Sequence, residues 1–257
     1  MAIEPVKSDK KEAVFEAAAR LFMANGYMST TMDDVAAAVS LNKGTLYYYY
    51  QGKASILFDI VYRLEEKRLN IARGKPFNKL GGKTAFALRE FIEDTANHIL
   101  DNLVSSRIAM QESPFLDMWL NDEQLGMLRA CHDEYHARLV ELIEAGIEQG
   151  DLIPGNASVM AQGITGALSW MPRWFRAKGP LSKAEVAAQL TGLLTEGLFV
   201  RGKGKADNPV TLGKQKAGRT KAAEDNVLQA PLRTPLRRRG KATTRRARAA
   251  EINKDLT

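Results

Sequence analysis

The stretch Thr31–Lys53, TMDDVAAAVSLNKGTLYYYYQGK, constrains this chain more than any other. Two short apolar-faced segments flank a break at Ser40-Leu41-Asn42. Val35, Ala36 and Val39 make the apolar face of the first. Thr31 with Asp34 three residues later is a capping-box pattern that opens this helix. Asn42 is placed to cap the second through its side-chain oxygen. Two short helices joined by so tight a turn make a helix-turn-helix, whose second helix enters the DNA major groove. Donor-rich and flat aromatic side chains gather on that second helix. Asn42, Lys43, Thr45 and Tyr48 are candidate base readers, and Thr31, Tyr47 and Lys53 are better placed for phosphates. Gly44 lets the backbone come close to DNA. Leu46 and Tyr49 are expected in the core.

Helical periodicity continues on both sides of this motif. Val14, Phe15, Ala18, Leu21 and Phe22 form one stripe of a helix expected to begin near Asp9 and to end at Asn25-Gly26. A longer helix follows from Lys53 to about Arg73, with Ile56, Leu57, Ile60, Val61 and Leu64 on its buried side. Residues 77–200 show polar breaks between apolar stripes and no strand-like alternation. Helices are expected over about 86–104, 107–119 (interrupted at Ser113-Pro114), 123–149, 158–175 and 182–200. The fold class is therefore all-α. A three-helix helix-turn-helix domain spans residues 9–55, and a larger helical ligand-binding and dimerisation domain spans 56–200. Residues 201–257 are polar and Lys/Arg-rich, too poor in large apolar residues to fold alone, and are expected to form a disordered basic tail.

Charge is divided unevenly. The chain carries +7, but residues 201–257 carry +11 and the preceding 200 carry −4. The case for DNA binding therefore rests on the motif, not on net charge. One cysteine, Cys131, excludes an intrachain disulfide and is compatible with a reducing compartment. The N-terminal residues lack the apolar core of a signal peptide, and no run of about 18 apolar residues suggests a membrane span. A cytoplasmic protein is expected. No nucleophile elbow, phosphate loop or recognisable carboxylate pair is present, so no enzymatic activity is expected. His132 and His136 stand at i, i+4, a spacing that can hold a metal, but no HExxH or thiol pair accompanies them. They are read as a solvated or pocket-lining pair, and no metal or cofactor is expected.

In order, Gly26-Tyr27, Thr30-Thr31, Asp34-Val35-Ala36, Gly44-Thr45-Leu46-Tyr47, Tyr49-Tyr50 and Lys53 carry a family resemblance. The string from Val14 to Leu57 resembles the DNA-binding domain of TetR-family transcriptional repressors. Two positions depart from the pattern. Val39-Ser40 replaces the usual Ala-Gly, so Ser40 must accept a geometry suited to glycine, and Tyr50 stands where Phe is common. The resemblance implies a homodimer formed by the last two helices, reading a palindromic double-stranded operator and released by a small molecule. The segment SWMPRWFRAKGPLSKAEVAAQLTGLLTEGL resembles the C-terminal part of members that respond to acyl-CoA thioesters of lipid, steroid or aromatic-acid catabolism. Trp170 and Trp174 could then stack on an adenine or flank an acyl chain, and Arg173 and Arg176 could meet phosphates. Met110, Phe115 and Trp119 with Tyr135 are candidates for an apolar ligand pocket.

A second reading is an architectural, nucleoid-associated DNA-binding protein with little effector response, whose tail adds salt-dependent, non-specific affinity. Deleting residues 201–257 separates the two. A regulator keeps its ratio of specific to random DNA affinity while the slope of log affinity against log salt becomes shallower. An architectural binder loses that ratio.

Overall fold

The computed structural model describes residues 5–74 and 84–196, with side chains from residue 10 onward. The expected tail and the last residues of the final helix lie outside the described residues. Within them the chain is helical and has no strand. α1 spans Pro5–Asn25, α2 Met32–Ala38, α3 Lys43–Tyr49 and α4 Lys53–Arg73. α5 spans Thr84–Asp101 and α6 Leu103–Glu112, followed by a 3-10 turn at Ser113–Phe115 and the short α7, Leu116–Trp119. α8 spans Asp122–Glu148, α9 Ala157–Trp174 and α10 Lys183–Glu196. α1 starts earlier than the sequence suggests, because Asp9 extends a helix already under way instead of capping it. The helix expected over 86–104 breaks at Asn102, where ψ swings to +41°.

Local chemistry sets the boundaries. Gly26 (φ +83°) ends α1, and its carbonyl accepts from the Thr30 hydroxyl at 2.9 Å. α8 opens on Asn121, which accepts from the Gln124 N–H while Gln124 answers the Asn121 N–H. Ser182 and Glu185 form the same reciprocal pair before α10. α9 carries Pro172 two residues before its end. The carbonyls left open by the helix end find a partner: the Arg107 guanidinium, on α6, donates to Pro172 O at 3.0 Å and Phe175 O at 2.8 Å.

Two hydrophobic cores result. The first joins α1, α2, α3 and the first half of α4 through Val14, Phe22, Val35, Leu46, Ile56 and Ile60, with Ile108, Leu120 and Leu128 from α6–α8 closing it. The second packs α5, α8, α9 and α10 against the far end of α4 through Leu69, Ala72, Phe91, Leu139, Leu168 and Ala187. A fully buried leucine such as Leu46 contributes roughly 2 kcal/mol by burial alone. α4 thus supplies side chains to both cores, and Tyr62, stacked on Phe58 at 5.3 Å, packs against each.

A polar knot fixes the head to α4. The Tyr50 hydroxyl donates to Asp59 at 2.5 Å, and Arg63 grips the same carboxylate through two N–H groups. Arg63 also reaches Glu12 at 2.7 Å and lies over the Phe15 ring. Burial and the Asp59 carboxylate push the Tyr50 hydroxyl far above its ordinary range, so it stays a donor. Tyr in place of Phe here has a reason: its hydroxyl reaches the knot. At the far end, Arg73 and Arg138 hold Glu134, whose carboxyl drops to about 2.

Ser40 occupies the left-handed region at φ +54°, where an L side chain is strained. Ser40→Gly should therefore raise the urea midpoint by an amount equivalent to about 1 kcal/mol. Ser40→Val should lower it. A Gly variant no more stable than the parent would show that the turn carries no strain.

Candidate nucleic-acid interface and effector cavity

The turn between α2 and α3 is built from backbone bonds around Ser40. Ser40 N donates to Ala37 O and Leu41 N to Ala36 O, the Schellman closure of α2. At the other end of α2 the Thr31 hydroxyl accepts from Asp34 N at 3.1 Å, and the Asp34 carboxylate receives both Thr31 N–H and Oγ1–H. Those bonds hold the Asp34 carboxyl below its ordinary range. Thr31 is thus a cap whose exposed position still borders the interface. α3 begins on Asn42, whose side chain accepts from Thr45 N at 2.8 Å. Leu46 is its buried anchor, and Tyr50 is buried just past its end. Tyr49, expected in the core, is only half-buried and lies edge-on to Tyr48.

The outward surface of α3 carries the residues singled out from sequence. Tyr48 is 66% exposed and Tyr47 42%, while Lys43 and Gly44 are fully on the surface and Thr45 half-buried. Lys43 pairs with Asp33 at 2.9 Å across the motif, with both side chains exposed, and Asp33 pushes its ammonium pKa up. Exposed pairs of this kind are worth little, so Lys43 can exchange Asp33 for a phosphate. A Cβ on Gly44 would meet only Asn42 Oδ1, at an ordinary 3.5 Å. Nothing inside the protein asks for glycine there. Lys53 behaves differently from the sequence expectation. Its ammonium turns inward, donating to Tyr27 O at 2.6 Å and Met28 O at 3.2 Å and lying 4.4 Å from the Tyr27 ring centroid. Burial lowers its pKa, and burial with Glu112 nearby lifts the Tyr27 hydroxyl to about 12.

Below this head lies a cavity of about 730 Å³, within the range of small-molecule sites. Its apolar wall includes Val61, Leu64, Ala109, Leu116, Leu125 and Leu128. Glu65, Arg68 and Thr165 supply polar groups within, and Asp117, Arg129, His132 and Asp133 stand at its exposed rim. Met110 lines it as expected from sequence. Tyr135 is 1% exposed, packed between Phe91 and the Arg68 guanidinium, with its hydroxyl beside Thr95 and Thr165. Trp119 instead packs on Tyr27 at 5.3 Å in the head, beside the Glu112 carboxyl, whose pKa burial raises. Phe115 is exposed.

The aromatic-arginine cluster is not in the cavity wall. Trp170 (59% exposed), Arg173, Trp174 and Arg176 all face outward at the C-terminal end of α9, next to the lining residues Ser169 and Pro172. Sequence reading missed Arg68 and Thr165. Arg68 did leave a signal: it follows Leu64 and precedes Ala72 on the buried stripe of α4, where a charge is out of place. Thr165 left none. His136 bonds Ser158 on α9, and no metal-binding group of His, Cys, Asp or Glu forms among the described residues. No helix among them is long and apolar enough to cross a membrane.

A reading head of this geometry on an all-helical body defines a helix-turn-helix transcriptional regulator. The family model of bacterial regulatory proteins of the tetR family matches residues 14–60, and that of the tetracyclin repressor-like C-terminal domain matches residues 83–198. The chain belongs to the TetR family of transcriptional regulators, DNA-binding proteins of this type. It is 23% identical over 193 residues to the HTH-type transcriptional repressor KstR2 of Rhodococcus jostii (strain RHA1), covering 75% of this chain and 92% of that one. Among solved structures, the TetR-family regulator PfmR from Thermus thermophilus is 26% identical with a TM-score of 0.64, covering 73% of this chain and 99% of that one. AibR, solved in complex with isovaleryl coenzyme A and operator DNA, shares the fold at 24% identity and a TM-score of 0.60, over 74% of this chain and all of that one.

Gly44→Ala separates folding from recognition. It should stabilise the isolated protein by about 0.5–1 kcal/mol through helix propensity. It should also weaken operator binding at least tenfold, because the methyl stands where DNA must approach. A variant more stable than the parent yet equally tight on its operator would show that α3 keeps its distance there.

Proposed function

We propose that the protein is a ligand-released repressor that binds a palindromic operator as a homodimer. One observation carries the reading. Val61, Ala109, Leu116, Leu125 and Leu128 line the cavity and also belong to, or pack on, the core of the DNA-binding head. A molecule entering the cavity presses on residues that position α3. Interiors are close-packed and yield little, so occupancy favours a different placement of the head. The residues proposed to meet DNA are Thr31, Asn42, Lys43, Gly44, Thr45, Tyr47 and Tyr48, with Lys53 holding the α1–α2 corner in place.

Dimerisation is supported by one face of α9. Val159, Gly163 and Gly166 recur along it, and all three are exposed. A Cβ at Gly163, Gly166 or Gly192 would meet nothing within the subunit, which leaves room for a second copy to approach closely. Two heads then address two half-sites about one DNA turn apart.

The effector we propose is an acyl-CoA thioester. The acyl part enters the cavity, and the nucleotide lies over the end of α9, where Trp170, Arg173, Trp174 and Arg176 are exposed beside the lining residues Ser169 and Pro172. The isovaleryl coenzyme A complex of AibR is in keeping with that class. The test is a titration of operator-bound full-length protein with CoA thioesters of graded acyl size. At least one should release the DNA, and Arg173→Ala with Arg176→Ala should raise the concentration needed about tenfold or more. If free fatty acids or unrelated apolar molecules release the operator and no thioester does, the CoA class is wrong.

A further inference from the structure

Tyr135 Oη, Thr95 Oγ1, Thr165 Oγ1 and Arg68 Nε are buried; the three hydroxyls lean on one another at less than full hydrogen-bond geometry, and Arg68 Nε meets no acceptor. They cluster: the Arg68 guanidinium lies 4.3 Å from the Tyr135 ring centroid, and the Tyr135 hydroxyl sits beside both threonines. Arg68 and Thr165 line the cavity; Tyr135 does not, but packs on Arg68 and neighbours Thr95 and Thr165. Buried polar groups are nearly always partnered, since leaving them unmet forfeits their hydration without return. Two of the four belong to residues that line the cavity, Arg68 and Thr165, so an acceptor bound there would meet donors.

Its chemistry discriminates between ligands. Arg68 can only donate, and the hydroxyls donate as readily as they accept. Burial pushes the Tyr135 pKa up, so its hydroxyl keeps its proton. The surface therefore favours a bound acceptor. A carboxylate is disfavoured on two counts. Arg68 already pairs with Glu65 at 2.5 Å, which cancels its charge. Around the cavity, Arg68 and Arg129 face three carboxylates, Glu65, Asp117 and Asp133.

We propose that Arg68, Thr165 and Tyr135 form the polar end of the effector site and receive a neutral acceptor oxygen, a ketone or thioester carbonyl, on an otherwise apolar molecule. Thr165 donates to that oxygen and accepts from Tyr135 behind it, and Arg68 Nε supplies a second donor. Tyr135 acts through Thr165 as a positioning residue. The proposal rests on the cavity being the effector site, and it excludes free fatty acids even where their chains would fit.

Calorimetric titration of the full-length protein with three probes of matched chain tests it: S-methyl octanethioate, octanoate and nonane. The thioester should bind at least tenfold more tightly than either of the others, the return on a buried hydrogen bond. Thr165→Val and Tyr135→Phe, each nearly isosteric, should each cut the thioester preference severalfold and leave nonane unchanged. Either variant alone suffices if the other fails to fold. Equal binding of all three, tightest binding of octanoate, or a preference that survives both substitutions overturns the head-group assignment while the cavity reading stands. If no probe binds, both fall.

Discussion

The structure depends on α4 being buried at both ends in two different cores. Ile56, Leu57, Ile60 and Val61 belong to the head, and Leu69 and Ala72 to the body. No loop between them absorbs movement. The Arg63–Asp59–Tyr50 knot anchors its first half to α1 and α3, and the Arg73–Glu134 pair anchors its end to α8. A rigid helix shared in this way makes the head sensitive to packing in the body. α6 adds a second tie, since Ile108 closes the head core while Arg107, one residue before it, grips the end of α9.

The cavity lies where this arrangement is most consequential. Its apolar wall is borrowed from the head core, and its polar end is set among α4, α5, α8 and α9. An effector that satisfies the hydroxyls at one end while filling the apolar space at the other interacts with both bodies at once. Differential contact of this kind is what a ligand needs in order to shift an equilibrium between two states.

The reading head was largely legible in the sequence because its determinants are local. Thr31 with Asp34, Asn42 with Thr45 and the left-handed Ser40 each act within a few residues, and each occurs in the structure as the pattern implies. Lys53 was not legible, because its partners Tyr27 and Met28 lie 26 and 25 residues away and depend on how α1 meets α4. The cavity was legible only in part. Met110 is large enough to attract notice, whereas Tyr135, expected in the wall, is buried behind it, and Thr165 and Glu65 are ordinary residues until folding gathers them. The Trp170–Arg176 segment shows the limit of composition as a guide. Periodicity identifies an apolar helix face, yet it does not say whether that face meets its own chain, a second copy or a ligand, and here the tryptophans face outward.

The central claim is that cavity and reading head are coupled through shared packing. Coupling between two sites is reciprocal, so it can be read from the ligand side. The direct measurement is the affinity of a CoA thioester for the full-length protein, with and without saturating operator DNA. Operator should weaken thioester binding by the same factor by which the thioester weakens operator binding. A thioester that binds with one affinity whether or not DNA is present would contradict it.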